Sequence, residues 1–524
     1  MRYAMQSRTK KWVGMILVGS MLLGVFAACS KQSEGSQQSQ TAQAEQTAAA
    51  DMKNSLVIAT ESEPPTLHPF DHKAVTAGYM NLLTFNALMK IDPQTLEPEL
   101  DLAESYETVS DTEWTFTLKQ GVLFQDGSTL DAQDVVASME YAKTFPTTAD
   151  YTSFWADVQA VDSQTVKITT DGPYAMVLDD LANIDILPSE LIDAGNDFSE
   201  NPVGTGPYCF VEWNRGDSIV FEKNDQYFDQ AHQPSIQQLT WRIIPEGASR
   251  TIALQAGEVD FVMEVEATDL TRLQEDEQIE VQQAEGTRLN FMAMNSEVEP
   301  FDNQDFRRAV NAAVDRDAVV TVACNGAGIP AIAHTSPAFE GSSEENAQGY
   351  DLEKAKEYLE KSGVDPEEVH FSCLVSNDVA RRTAEVIQAN LAELGIAMEI
   401  ESMDYATHLN AIMSGDFETA ISGYTSSYLY SFVSGLYHSD AIDAANLARL
   451  NDPTVDQLIE AAKVELDKAK QTEIFQELSA YLNEKSPFVP LYQTMVVKAY
   501  DKDLTGVTVG KNGNVRFEDV KWAQ

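Results

Sequence analysis

The sequence predicts an α/β protein whose first half is a strand-rich α+β region. Two patterns carry that expectation. Up to about residue 223, short alternating or continuous apolar runs are bounded by turn residues, as strands are. From about residue 306, helix-period and strand-like runs alternate, and one such set forms a βαβ unit, which implies a parallel sheet covered by helices. A chain of 524 residues, 43% of them hydrophobic, is long enough for two or three domains.

Taken in order, the first element lies outside the fold. Arg2, Arg8, Lys10 and Lys11 form a basic stretch before the apolar run Val13 to Phe26, which is short for a bilayer span. It ends in Phe26-Ala27-Ala28-Cys29, where small residues before a cysteine resemble a bacterial lipobox. Residues 1–28 are therefore expected to be a lipoprotein signal peptide, with Cys29 lipidated and made the new N-terminus. Residues 29–53, rich in Ser, Gln, Ala and Glu, read as a flexible solvated tether.

Leu56 to Ala59 is a short buried strand stopped by Pro64-Pro65. Trp114 to Leu118 alternates as a half-buried strand does, and Val122 to Phe124 leads into an Asp126-Gly127 turn. Asp131 caps a helix running to about Lys143. Val166 to Thr169, Tyr208 to Trp213 and Ser218 to Lys223 are further strands. In the second half, Phe306, Ala309, Val310, Ala313 and Val314 share one helical face. Asp351 starts a helix that Gly363 ends. His370 to Val375, Val379 to Leu394 and Ile396 to Ile400 form the βαβ unit, with Gly395 placed for a left-handed stop. Helices over Val455 to Leu466 and Thr472 to Asn483 follow, and a last strand, Val489 to Tyr500, is placed to return to the first half.

Composition narrows function. With 83 Asp and Glu against 35 Lys and Arg, the net charge is -48, which repels phosphate backbones and excludes nucleic acid as a partner. Cys209, Cys324 and Cys373 show no metal-site spacing and read as buried free thiols. There is no His-Glu-x-x-His, no Gly-x-Ser-x-Gly and no Gly-x-x-x-x-Gly-Lys-Ser/Thr sequence. The glycines of Val203 to Tyr208 have no following Lys or helix and read as a tight turn entering a strand. Asp501-x-Asp503-x-x-Gly506 also reads as a turn, since Asn512 stands where a calcium loop needs Glu. Pro69 between His68 and His72 argues for an extended loop. Gly423 to Phe432 has neither clean period. Its three Tyr and four Ser or Thr fit the lining of a ligand cleft, or a well-packed Tyr-rich loop.

Several motifs occur together and in order: Trp114 to Gly127 followed by Asp134-Val135; Pro202 to Tyr208 followed by Asn224 and Tyr227; Ala253 to Asp260. Then come Asn295, Pro300-Phe301, Arg307-Arg308-Ala309-Val310, Ala313 to Arg316, Tyr350 to Ala355, Phe417 and Pro490-Leu491-Tyr492. Over about Ser55 to Tyr500 the chain resembles the family 5 extracellular solute-binding proteins, the peptide/nickel-binding components of ABC importers. The resemblance implies a two-lobed periplasmic-binding-protein-like clamp, with an extra subdomain and two hinge crossings, near Gly286 to Asn295 and Phe488 to Ala499. It implies a discontinuous lobe I of residues 54–290 plus 491–524, with about 88–200 as the extra subdomain, and a lobe II of residues 291–490. It further implies no enzyme activity and no cofactor, a monomer lipid-anchored on the outer side of the cell membrane, and permease and ATPase subunits as partners. The rival class, a secreted hydrolase on the same fold, would need a catalytic constellation that these motifs lack.

The ligand expected from the resemblance is an oligopeptide or dipeptide-like solute. It is held by Tyr424, Thr425, Ser427 and Tyr428 of one lobe against Glu61, Glu63 and His68 of the other. Peptide-binding relatives carry an Asp where this chain has Ser427, and a neutral hydroxyl cannot compensate a buried ammonium. Either another acid, such as Glu61, Glu63 or Asp440, does that work or the ligand has no free N-terminus. The family's nickel-binding branch offers the alternative: His438 aligns with a histidine on a chelated metal, beside the similar segment Met495-Val496-Val497, whereas a lone His can equally be a surface or capping residue.

Overall fold

The computed structural model describes residues 54–523, so the expected signal peptide, Cys29 and tether lie outside the described residues. Its first strand, β1 (Ser55–Thr60), buries Leu56, Ile58 and Ala59 completely, and helix α1 (Val75–Thr84) follows. Four strands then form an antiparallel sheet of their own: β2 (Ala103–Ser110), β3 (Glu113–Leu118), β4 (Trp155–Asp162) and β5 (Thr165–Thr170), ordered β2-β3-β5-β4. In β3 the expected alternation is present, with Trp114, Phe116 and Leu118 buried and the threonines between them partly open. Helix α2 (Ala132–Ala142) covers this sheet. Its cap is reciprocal: Gln133 N donates to Asp131 Oδ1 (2.7 Å), and Asp131 N donates to Asp134 Oδ2 (2.9 Å). Trp114, Phe116, Val135, Met139 and Ile168 share one apolar core, which also takes in Val177 and Leu181 of the short helix α3 (Val177–Leu181).

The turn at Val203 to Tyr208 packs on the C-terminal end of α1. A Cβ on Gly206 would lie 2.5 Å from the Thr84 carbonyl carbon, so backbone approach, not anion binding, demands glycine here. Gly206→Ala is expected to cost about 3 kcal/mol or more by forcing two backbone segments apart. Gly349→Ala, with no atom within 4 Å of its Cβ, should stay within about 0.5 kcal/mol. Chemical unfolding of both variants checks the contrast.

Further strands are β6 (Tyr208–Asn214), β7 (Ser218–Lys223), β8 (Gln238–Ile243), β9 (Phe261–Val262) and the long β10 (Ile279–Met294). Helices α4 (Gln304–Ala313), α5 (Arg316–Ala323) and α6 (Leu352–Ser362) follow. Next come β11 (His370–Val375), α7 (Asp378–Ala392), β12 (Ala397–Ser402), α8 (Tyr405–Ser414), β13 (Thr419–Tyr424), α9 (Leu429–Tyr437), α10 (Pro453–Val464), α11 (Lys468–Lys485) and the long β14 (Phe488–Asp501). Among the described residues these strands and β1 form one sheet ordered β12-β11-β13-β10-β14-β9-β1-β8-β7-β6, with Gly328–Pro330 paired to β14. The βαβ unit is as expected, because β11 and β12 pair in parallel.

Along β10, Met292 and Met294 point into one core with Val310, Ile387 and Leu391. Leu289, Phe291 and Ala293 point into another with Phe432, Leu478 and Phe488. Both faces are buried here, so Leu289 to Met294 reads as apolar on both sides but for Asn290. β10 and β14 are the strands on which the two crossings are expected, and each pairs in both halves of this sheet. Residues Ile279 to Glu285 pair with Met495 to Asp501 beside β9, and Leu289 to Ala293 pair with Phe488 to Gln493 beside β13. Between these stretches the register shifts, and a Cβ on Gly286 would lie 2.6 Å from Thr494 O. The ladder is thus interrupted where the two halves of the sheet meet.

Boundaries differ where capping outweighs periodicity. α11 begins at Lys468, ahead of the expected Thr472, because Asp467 accepts from Ala469 N and Lys470 N. α7 ends at Ala392, with the left-handed turn delayed to Gly395 (φ 82°).

Candidate ligand-binding site

A cavity of about 1770 Å³ lies between the core of the four-stranded sheet and that of the β10–β13 region. One wall draws on residues within 72–75, 147–154 and 171–183, the other on residues within 376–380, 405–413 and 421–464. Arg288, Asn290 and Tyr492 of the crossing strands also line it. Its shape follows from β13 running out at Tyr424 and α9 starting at Leu429, which leaves Thr425 to Tyr428 as a loop against the cavity. The aperiodic Tyr-rich run is this strand–loop–helix junction. Tyr424, Thr425, Ser427 and Tyr428 all line the cavity, as expected. The Tyr424 ring packs edge-on against Phe432 at 5.7 Å.

The other expected wall is elsewhere. Glu61 does not line the cavity; it is exposed and its backbone N–H donates to Glu264 Oε2 (3.1 Å). Glu63 Oε2 accepts from Trp213 Nε1 (3.1 Å) and Gly216 N (3.0 Å), a local tie between loop and strands. His68 is buried among Phe70, Tyr141, Phe145 and Phe198, its Nδ1 accepts from Phe70 N (3.1 Å), and burial holds its pKa below the usual value. None of the three lines the cavity, and Glu63 and His68 are spent on neighbouring strands and rings instead. Asp440 points to solvent with its side chain 94% exposed. His438 is also absent from the cavity lining; its Nδ1 accepts from Asp440 N (3.1 Å) and caps a short turn, the capping role that a lone histidine can take. Among the described residues no group of three His, Cys, Asp or Glu is arranged to hold a metal.

The opposing wall is built instead from residues around Asp150 to Asn183. Asp180, on α3, is fully buried and accepts from Tyr174 Oη and, across the cavity, from Tyr428 Oη, each at 2.6 Å. Burial pushes its carboxyl up to about 7, partly offset by the two hydroxyl donors. Ala175 N donates to Lys463 O (2.8 Å) nearby, and Lys468 pairs with Glu97 at 3.1 Å, so several contacts join the two walls. Sequence reasoning missed Asp180 and Arg288. Arg288 is the one basic residue of the crossing strand β10, where it stands between a polar stretch and the apolar run that starts at Leu289, whereas nothing in Val177–Leu181 distinguishes Asp180 from its acidic neighbour.

The profile described as "Bacterial extracellular solute-binding proteins, family 5 Middle" matches residues 97–443. The chain belongs to this family. It is 28% identical to the glutathione-binding protein GsiB of Escherichia coli (strain K12) over 483 residues, covering 88% of this chain and 94% of the relative. Among solved structures, HbpA2 from Haemophilus parasuis superposes with a TM-score of 0.81 at 25% identity, covering 90% of this chain and all of HbpA2. The Helicobacter pylori periplasmic protein DppA, in complex with the peptide STSA, superposes at 0.74 with 23% identity, covering 91% of this chain and 100% of DppA, a likeness of fold. Family 5 members are extracytoplasmic substrate-binding proteins of ABC transporters, two-lobed and not enzymes, and the cavity between two cores is the matching feature here. No helix among the described residues is long and apolar enough to cross a membrane.

Proposed function

We propose that this protein is the lipid-anchored receptor of an ABC importer and captures peptides or dipeptide-like solutes between its lobes. The carrying observation is the cavity itself. At about 1770 Å³ it is larger than a single small metabolite needs, and it is lined by tyrosines, hydroxyls and charges of both signs. Such a surface suits a zwitterionic chain molecule, with water filling what the ligand leaves. The glutathione-binding name of the GsiB relatives supports a peptide-like solute. Tyr424, Thr425, Ser427 and Tyr428 form one side of the site. With Ser427 neutral, Asp171 on the facing wall is the acid offered to an ammonium group, since Asp150 is already paired with Lys73 at 2.6 Å. In this reading residues 54–290 with 491–524 form lobe I, 291–490 form lobe II, and 88–200 are the extra subdomain. Ligand contacts from both lobes favour the closed form, which a permease then recognises. Cys29 carries the lipid, residues 29–53 tether the monomer outside the membrane, and permease and ATPase subunits complete the importer.

Native mass spectrometry of protein extracted from membranes tests the whole reading. The expected spectrum shows a mature chain beginning at a diacylated Cys29, with a ladder of peptide-sized adducts. A chain starting elsewhere would remove the anchor. A single metal–chelate adduct would replace the peptide with the family's other cargo.

A further inference from the structure

Three basic side chains line the cavity, and two of them are neutralised by neighbours. Lys73 pairs with Asp150 (2.6 Å) and Lys463 with Glu460 (3.3 Å). Among the described residues Arg288 has no carboxylate within 4.0 Å, in a chain of net charge -48. Its surroundings also desolvate the guanidinium, which holds its pKa below the usual value. The side chain is open to the cavity rather than sealed in the core, so an anion entering there meets a guanidinium that no carboxylate neutralises.

The fold positions this guanidinium. Nε donates to Asn290 Oδ1 (3.3 Å) and Nη1 to Thr425 Oγ1 (3.4 Å), leaving most of its five donors uncommitted. It lies flat against β13 because residue 423 is glycine: a Cβ there would come 2.8 Å from Arg288 Nη2. Tyr492 and Tyr405 are near enough to favour its charge. Tyr405 opens a second feature. Tyr405, Leu409 and Met413 follow at every fourth residue of α8, so they share one face, and all three are exposed (67%, 36% and 37%) while lining the cavity. The buried side of that helix is made by His408 and Ile412. The apolar stripe is therefore not spent on the core.

We propose that Arg288 anchors a carboxylate of the solute and that the Tyr405–Leu409–Met413 stripe takes an apolar side chain beside that carboxylate. The pairing selects a solute whose acidic end is flanked by an apolar group, as in a peptide with an apolar C-terminal residue. It rests on the reading of the cavity as the solute site. A planar two-pronged donor suits a carboxylate better than an ammonium would.

The test uses ligand-stripped wild type and the Arg288→Gln, Arg288→Lys and Leu409→Ser variants, each checked for unchanged circular dichroism. The probes are Ala-Ala-Leu as free acid and as C-terminal amide, Ala-Ala-Ser, and the pair hexanoate and hexanamide, followed by calorimetry and thermal shift. Wild type should prefer the acid to its amide about 30-fold or more, Arg288→Gln should erase that preference, and Arg288→Lys should restore part of it. Leu409→Ser should lower the preference for Ala-Ala-Leu over Ala-Ala-Ser about tenfold. If no peptide binds but hexanoate stabilises wild type over hexanamide, and not Arg288→Gln, the peptide reading fails and the anchor stands. Equal binding of acid and amide by wild type, a preference that survives Arg288→Gln, or no response to any probe would overturn the anchor. An unchanged Leu-to-Ser preference in Leu409→Ser would overturn the apolar subsite.

Discussion

Replacing Arg316 with Leu is expected to remove about 4 kcal/mol or more of stability. Arg316 is 3% exposed, yet among the described residues no carboxylate pairs with it to account for its burial. Its guanidinium donates instead to Ala331 O (3.1 Å), Pro490 O (2.9 Å), Asn311 O (3.2 Å) and Val314 O (2.8 Å), and also to Asn311 Oδ1. One side chain thus ties together the corner after α4, the strand β14 and the segment at Ala331. Burial lowers its pKa to about 10, so it stays charged at neutral pH and its bonds remain charge-assisted. Leucine would fill part of the volume but remove the guanidinium donor from all of these buried acceptors; Asn311 O would keep the long bond from Val314 N (3.5 Å), and each acceptor left unpaired costs about 1–3 kcal/mol before relaxation. Arg316→Lys should recover less than half, because one ammonium cannot reach carbonyls arranged for a planar fork. Urea unfolding of the three proteins reads this directly. A loss below about 1.5 kcal/mol for Arg316→Leu would mean that water reaches the site and the clamp is dispensable.

The same residue shows what was legible in the sequence and what was not. Arg307 and Arg316 stand in motifs that carry the family resemblance, and both are structural: Arg307 bonds to the carbonyls of Phe301, Asp302, Lys485 and Ser486. Ordered motifs therefore identify the fold while saying little about the ligand. Elements with strong local causes were readable, such as the alternation of Trp114 to Leu118, the Asp131 cap and the Gly363 stop, because their determinants lie within a few residues. The loop Tyr424 to Tyr428 was readable for the opposite reason, since aromatic and hydroxyl residues in no regular period need something other than a core face. Its opposing wall was not. Tyr428 meets Asp180 across 248 residues of sequence, and no local pattern encodes that pairing. Glu61, Glu63 and His68 sit in a polar, Pro-interrupted stretch that resembles a binding loop, but Glu63 and His68 are occupied by neighbours the sequence does not reveal and Glu61 lies outside the cavity lining.

Asp180 yields the second large effect, a dependence of lobe closure on pH. In the structure its carboxyl is buried, with Tyr174 on its own wall and Tyr428 reaching from the other, and burial holds its pKa at about 7 against an ordinary 3.8. On the proposed clamp reading, parting the two walls would withdraw Tyr428 and admit water, which would return the group towards the ordinary value. Closing therefore takes up a proton between about pH 4 and pH 7, so closure is fully supported below that window and loses support as pH rises through 7. A shift of about three units corresponds to about 4 kcal/mol at most, and water left in the cavity reduces it, so an expected tenfold to hundredfold fall in the closed-to-open ratio from pH 5 to pH 8 is reasonable. Other groups facing the site are Asp150, Asp179, Tyr430 and Tyr174. Of these, Asp179 is also pushed to about 7 by burial, but it lies beside Lys468 and Glu97. Small-angle scattering or a distance label across the two walls of ligand-free protein measures the ratio. Asp180→Asn should flatten the pH dependence and hold the closed form at pH 8, because a neutral amide carries no desolvated charge while still accepting from a tyrosine hydroxyl. Asp179→Asn should leave most of the slope. If the slope survives Asp180→Asn and disappears in Asp179→Asn, the proton belongs to the neighbouring carboxylate and the Tyr174–Asp180–Tyr428 bridge is only a structural tie.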